Sequence, residues 1–291
     1  MMEVTCGFTI PITKYGLPPS LADLLKCMGE IKEAGFDRME VEIEAGHQEY
    51  VDGWDKVIAR SKELELDISS AMAVTYELFS LDPAKQAIAI KQFEGICDMV
   101  KAAGSRLMTN CFYLPPELKS SDKTPIYLGG PPACIDIPDD FSWPALRQIV
   151  VSQLEKMSQL STDRGLDFAM EIRAGDFVSS VDGLVALFDS CKTDNVGIIY
   201  DVAHVHAIKE YMELGLIKFG KKYLKLIHLS DNDGTQAYHY VPGQGNLDFE
   251  AIINRLKKIG YDGQVIVDIS GVPNILEEAA KMKKMLEGYI G

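Results

Sequence analysis

Short strand-like runs and longer helical stretches alternate along this chain from one end to the other. The strand-like runs cover 3–9, 38–43, 66–72, 106–111, 167–172, 196–201, 223–229 and 264–269. Helical patterns follow them at 20–34, 53–65, 83–103, 142–164, 180–192, 203–220, 248–259 and 274–288. Several helical stretches run into a glycine before the next strand (Gly35, Gly104, Gly165 and Gly260), as expected of residues that close a helix in the left-handed conformation. The junctions "AGFDRMEVE" and "IGYDGQVIV" read as copies of one helix-stop-strand unit. Strict alternation predicts a parallel sheet. Eight units in 291 residues predict closure into an α/β (β/α)8 TIM barrel, one domain over 1–291. An open doubly wound sheet is the alternative, but the first strand-helix turn lacks the Gly-x-Gly-x-x-Gly phosphate loop.

One segment interrupts the rhythm. Residues 112–141, "FYLPPELKSSDKTPIYLGGPPACIDIPDDF", carry six prolines and two glycines between the fourth strand and the fourth helix. A Pro-rich insertion this long in a compact domain is either a functional lid or an inert surface loop. It leaves the C-terminal face of the barrel, where active sites sit, so a lid is the expectation.

Composition narrows the function classes. A formal charge of −14 opposes a nucleic-acid partner, because such binders need a basic face to displace counterions. No apolar run reaches the roughly 18–20 residues of a membrane helix. The opening "MMEVTCGFTIPITKYG" lacks the basic head and cleavage site of a secretory signal, so a soluble, cytoplasmic protein is expected. The six cysteines (6, 27, 97, 111, 134 and 191) are scattered without a C-x-x-C pair and read as reduced thiols.

In a barrel, side chains at the strand C-termini converge at the mouth. The fifth to eighth strands end in Glu171, Asp201, His228 and Asp268, so three carboxylates and one imidazole would meet around one point. An oxygen-rich set with a single nitrogen suits a divalent metal such as Mn, Co, Mg or Fe(II); Zn is also compatible. Taken singly, an acid at a strand end is as readily a helix N-cap or a surface residue. In "IIYDVAHVH", Asp201 is the ligand candidate. His204 would lean over the mouth, able to hydrogen-bond a substrate oxygen or exchange a proton. His206 is assigned a structural role and His47 a place in a loop.

These pieces together resemble the xylose-isomerase-like sugar isomerase/epimerase superfamily, which includes ketose 3-epimerases, inosose dehydratases and endonuclease IV. The matching segments are "GFDRMEVE", "MEI", "YDVAH", "IHLSDNDG…HYVPGQGNLDF" and "GYDGQVIVDIS", spanning the chain outside 112–141. The resemblance implies one divalent metal held by Glu171, Asp201, His228 and Asp268. It also implies a substrate contacted by Glu40, His204 and His239, and catalytic roles for Glu171, His204 and Asp268. Arg173, on the same strand face as Glu171, could hydrogen-bond a substrate hydroxyl or simply pair with a carboxylate of the mouth. The Pro242-Gly243-Gln244-Gly245 turn would shape a loop beside the site, or merely lead into a helix capped by Asp248. A homo-oligomer, or assembly with a partner subunit, is expected.

The sequence departs from its relatives at informative positions. The histidines that give endonuclease IV three zinc ions are missing: the third strand ends in Ala71-Met72, the fourth in Asn110-Cys111, and Val241 and Gly243 stand beyond the seventh. The epimerases carry an arginine where this chain has Gly234, and a glutamate where it has Asp268. The expected activity is metal-dependent isomerisation or epimerisation of a sugar, sugar acid or cyclitol by proton abstraction beside a carbonyl. The alternatives are a lyase of the same fold (an inosose-type dehydratase, or a subunit of an enzyme cleaving oxidised glycosides or C-glycosides) and a non-catalytic sugar-binding barrel. Three crowded acids without a metal would repel one another, which argues against the silent barrel.

Overall fold

The computed structural model describes residues 2–120 and 135–291. Its strands are β1 (Glu3–Cys6), β2 (Arg38–Glu44), β3 (Asp67–Val74), β4 (Leu107–Cys111), β5 (Lys119–Ser120), β6 (Ile135–Asp136), β7 (Asp167–Glu171), β8 (Gly197–Asp201), β9 (Leu224–Leu229) and β10 (Gln264–Val267). The helices are α1 (Thr9–Tyr15), α2 (Leu21–Glu33), α3 (Gln48–Leu64), α4 (Pro83–Ala102), α5 (Trp143–Thr162), α6 (Val181–Phe188), α7 (Val202–Ala207), α8 (Met212–Tyr223), α9 (Phe249–Lys258) and α10 (Ile275–Ile290). Eight strands close into a parallel barrel in the order β1-β10-β9-β8-β7-β4-β3-β2, and β5 and β6 form a separate antiparallel pair. The expected barrel is the fold.

Local signals explain the element boundaries. Ser20, Ser142 and Ser180 accept the N–H three residues on, capping α2, α5 and α6, and Asp82 and Asp248 cap α4 and α9. Gly35, Gly104, Gly165 and Gly260 all have positive φ, as their positions predicted.

Alternation along the strands sorts the interior into layers. Leu107, Ala169, Ile199, Leu226 and Ile266 pack together as an apolar plug inside the barrel. Two residues further on, in β7, β8 and β9 and just past the end of β10, the inward positions are Glu171, Asp201, His228 and Asp268. Register fixes their relative height: Asp201 and Ile266 both pair with His228, and Asp268 donates its N–H to Leu229 O at 2.9 Å. The plug closes the barrel beneath these groups, and the main core lies between strands and helices.

Three elements differ from the sequence reading. The first strand stops at Cys6, and Thr9–Tyr15 is helical. The helix expected over 203–220 divides into α7 and α8, because Lys209 adopts a φ of 65°. Helix α3 begins at Gln48 rather than 53. Of the insertion expected as a lid, residues 121–134 lie outside the described residues. Near its start, Tyr113 and Leu114 line the cavity at the barrel mouth. Among the described residues no helix is long and apolar enough to cross a membrane, and the five cysteines are free.

Candidate active site

Glu171, Asp201, His228 and Asp268 are all buried at the C-terminal end of the barrel. His228 Nδ1 lies 3.3 Å from Glu171 Oε1, 3.5 Å from Asp268 Oδ2 and 3.7 Å from Asp201 Oδ2. The donor atoms of Glu171, Asp201 and His228 lie within 4.8 Å of one another.

Each carboxylate divides its two oxygens between support and centre. Glu171 Oε2 accepts the thiol of Cys111 at 3.1 Å, leaving Oε1 toward His228. Asp201 Oδ1 accepts the N–H groups of Ala203 (2.8 Å) and His204 (3.0 Å), capping α7. Asp268 Oδ1 accepts the Thr9 hydroxyl at 2.7 Å, leaving Oδ2 toward His228 and His239. The N-cap role and the ligand geometry therefore coexist in Asp201, one per oxygen.

Asp201 Oδ2 and both ring nitrogens of His228 are buried without a hydrogen bond. An unsatisfied buried polar group costs about 1–3 kcal/mol. His228 Nε2 faces Glu40, whereas Asp201 Oδ2 and His228 Nδ1 face one another at 3.7 Å and call for a shared partner. Three inward carboxylate oxygens and one imidazole nitrogen fit a divalent cation, which would satisfy them together.

The group is strongly coupled. Burial opposes charge on His228, yet Glu40 and Asp268 beside it raise its pKa well above the usual imidazole value. Burial pushes Glu171 up, but the imidazole of His228, 3.3 Å away, outweighs this and holds it at about 2. Asp268 is likewise kept well below the usual carboxylate range, against its burial, by His239 and His228.

Around this centre stand the expected substrate residues. His204 Nδ1 accepts the Ala174 N–H at 3.1 Å, which leaves the ring proton on Nε2. Burial lowers its pKa, so the ring is neutral where it lines the cavity. His239 Nδ1 is 3.0 Å from Asp268 Oδ2. Burial works against its charge, but Asp268 and Asp201 raise its pKa to about 9. Glu40 Oε2 lies 3.3 Å from His228 Nε2, and its other oxygen accepts the Ser70 hydroxyl. Arg173 lines the cavity and pairs with Asp176 at 2.8 Å, its guanidinium 4.8 Å from the Tyr113 ring centroid.

The remaining histidines lie outside the cavity lining. His47 precedes α3 with its ring edge-on to Tyr50. His206 explains Gly234: a Cβ there would lie 3.1 Å from His206 Nε2 and 3.3 Å from Lys209 Nζ, and Lys209 donates to the Gly234 carbonyl. The space beside the position where the epimerases carry arginine is taken by these two side chains.

Several residues of the site escaped the sequence reading. Glu42 follows Glu40 by one strand period and lines the cavity, a signal that was available. Thr9 was hidden because 3–9 reads as one strand. Cys111 matters through Glu171, sixty residues on, which no local pattern reports, whereas Asp176 pairs with Arg173 three residues before it. Asp231, just beyond β9, accepts N–H groups from Asn232, Gly243, Gly245 and Leu247 and so builds the Pro-Gly loop. Asp248 also caps α9, so this turn both leads into a helix and is tied back beside β9.

An inosose isomerase of Bacillus velezensis is 27% identical over 124 residues, 40% of this chain and 44% of that protein. An inosose dehydratase of Clostridium perfringens is 23% identical over 284 residues, 90% of this chain and 88% of the other. The chain spans about half the length of most curated relatives it matches. Among solved structures, a D-allulose 3-epimerase from Methylomonas sp. superposes with a TM-score of 0.76 at 17% identity, covering 99% of this chain and 98% of that one. A 3-keto-D-glucoside 4-epimerase from E. coli gives 0.73 at 19%, covering 99% and 100%. An IOLI protein with a bound zinc atom gives 0.70 at 18%, covering 99% and 98%. At these identities the structural likeness carries the fold. The family described as xylose isomerase-like TIM barrel matches residues 28–287, and the chain, with its closed barrel, belongs to that family.

Proposed function

We propose that this protein is a divalent-metal-dependent enzyme that moves a proton beside a carbonyl of a sugar, sugar acid or cyclitol, as an isomerase or epimerase. The observation that carries this reading is the division of oxygens: Glu171, Asp201 and Asp268 each commit one oxygen to the protein and turn the other toward His228 Nδ1. Relatives named inosose isomerase and dehydratase, epimerase neighbours, and the zinc-bound neighbour support it.

Glu171, Asp201, His228 and Asp268 would hold the metal, of which Mn, Co, Mg, Fe(II) or Zn suits the donors. A divalent cation there would stabilise negative charge developing on a substrate carbonyl oxygen as the adjacent C–H loses its proton. Glu171, with Oε1 facing the centre and Oε2 on Cys111, is the base that takes that proton. His204 offers its Nε2–H to a substrate oxygen, since its other nitrogen is occupied by Ala174. Asp268 is held from two sides and serves as a ligand. Glu40 and His239 bind hydroxyls around the ring, and Arg173 keeps the cavity wall in place through Asp176.

Solvent-deuterium uptake into a panel of ketoses, inososes and keto-glycosides, with and without chelation, tests this reading. Uptake that stops on chelation supports it; binding without uptake assigns the chain to non-catalytic barrels. Release of water or an aglycone alongside uptake would make it a lyase.

A further inference from the structure

The cavity above the strand-end cluster encloses about 620 Å³, inside the range of roughly 300–1,000 Å³ seen for sites that enclose drug-sized molecules. A single monosaccharide ring on the floor leaves most of it unfilled. The two ends of the cavity differ in chemistry. The floor is the set of carboxylates and imidazoles already described, whereas the upper wall is formed by Ile12, Leu17, Tyr76, Tyr113, Leu114 and Tyr238.

Three of these wall residues are open to solvent: Leu17 at 53%, Tyr76 at 54% and Tyr238 at 40% exposure. Exposed apolar groups continuous with a cleft mark a binding surface. The wall is also braced. Tyr76 and Tyr113 have ring centroids 4.8 Å apart, and Arg173, fixed by Asp176, covers Tyr113. Tyr238 stacks on Tyr240 at 5.3 Å. A hydroxyl-covered ring pressed on this wall would find hydrogen-bonding side chains only at the three phenol hydroxyls and would lose water over the rest of its face. A flat aromatic group would instead gain apolar burial and ring contacts.

We propose that the substrate is a polyhydroxylated ring ketone carrying an aromatic substituent, with the ring on the carboxylate floor and the aromatic group against Tyr76, Tyr113 and Tyr238. The inference rests on the proposed reaction only for the placement of the ring.

Methyl and phenyl 3-keto-β-D-glucosides form the matched test pair, differing only in the group offered to the wall. Calorimetric binding to Mn2+-loaded protein is measured alongside solvent-deuterium uptake. The phenyl compound is expected to bind at least about tenfold more tightly. Replacing both exposed tyrosines (Tyr76→Ala with Tyr238→Ala) is expected to bring the ratio near one. Equal binding of the two glycosides to the unsubstituted protein overturns the inference and leaves the exposed rim to a protein partner. Deuterium uptake separates the two claims: uptake without phenyl preference sinks only the substrate class, and phenyl preference without uptake sinks only the reaction.

Discussion

His239 Nδ1 lies 3.0 Å from Asp268 Oδ2, while the Thr9 hydroxyl holds the opposite oxygen of the same carboxylate at 2.7 Å. Asp268 is thus gripped from α1 on one side and from the loop after β9 on the other. A gripped carboxylate, shorter than glutamate by about 1.5 Å on covalent geometry, is suited to holding an ion and poorly suited to following a substrate proton.

Asp268→Asn is accordingly expected to lower metal affinity strongly, with activity partly restored by excess metal. Glu171→Gln should not recover, because it removes a base as well as a ligand. Thr9→Val, which frees one side of Asp268, should weaken metal binding by roughly tenfold. Metal titration of the three variants, followed by turnover at saturating metal, checks the assignment. Normal metal content in Asp268→Asn, with no recovery of turnover, would make Asp268 the base.

His204 is expected to act as a donor to substrate and not as a ligand. His204→Ala should keep its metal yet lose about 10²–10⁴-fold in kcat/KM. Elemental analysis beside steady-state kinetics decides; a variant purified without metal refutes the donor role.

Glu42 gives the protein a pH signature. Burial, reinforced by the charge of Glu171, lifts its pKa from 4.5 to about 7. The folded state therefore holds this proton more tightly than the unfolded chain. Glu42's contribution is fully present below about 4.5 and is lost as pH rises to about 7. The loss is about 1–3 kcal/mol, discounted because the carboxyl borders a solvent-filled cavity. Urea midpoints of chelator-treated protein at pH 5 and pH 8 should fall more steeply for the native chain than for Glu42→Gln. Parallel slopes would show that Glu42 titrates normally.

What the sequence revealed, and what it hid, follows from the range of each interaction. The barrel and the strand-end quartet were legible because both depend on period-two alternation within single strands and on repetition of one unit. Asp201 and His204 were legible as a pair because four residues of one turn hold both. Thr9 and Cys111 act on Asp268 and Glu171 from neighbouring elements whose residues are distant in the chain, whereas Asp176 lies only three residues beyond Arg173 in a loop with no periodicity to mark the pair. Gly234 looked like a lost arginine until His206 and Lys209 were seen to fill its space.

Asp231 supplies the last prediction. Its two oxygens accept four backbone N–H groups, from Asn232, Gly243, Gly245 and Leu247, at 2.8–3.1 Å, closing the Pro242–Gly245 turn onto the end of β9. Asparagine at this position would turn an amide N–H₂ toward donors, losing about two charge-assisted hydrogen bonds, or roughly 2–4 kcal/mol. Gly245→Ala attacks the same turn from the other side, since a Cβ there would sit 2.4 Å from Asp231 Oδ1 and 2.5 Å from the Asn232 backbone. Both variants should melt lower by on the order of 5–10 °C. At temperatures where they are folded, both should still bind metal near native affinity, because Asp231 does not touch the quartet. Calorimetry and metal titration on the same samples check this. An unchanged Tm for Asp231→Asn would mean that the turn holds itself without the carboxylate.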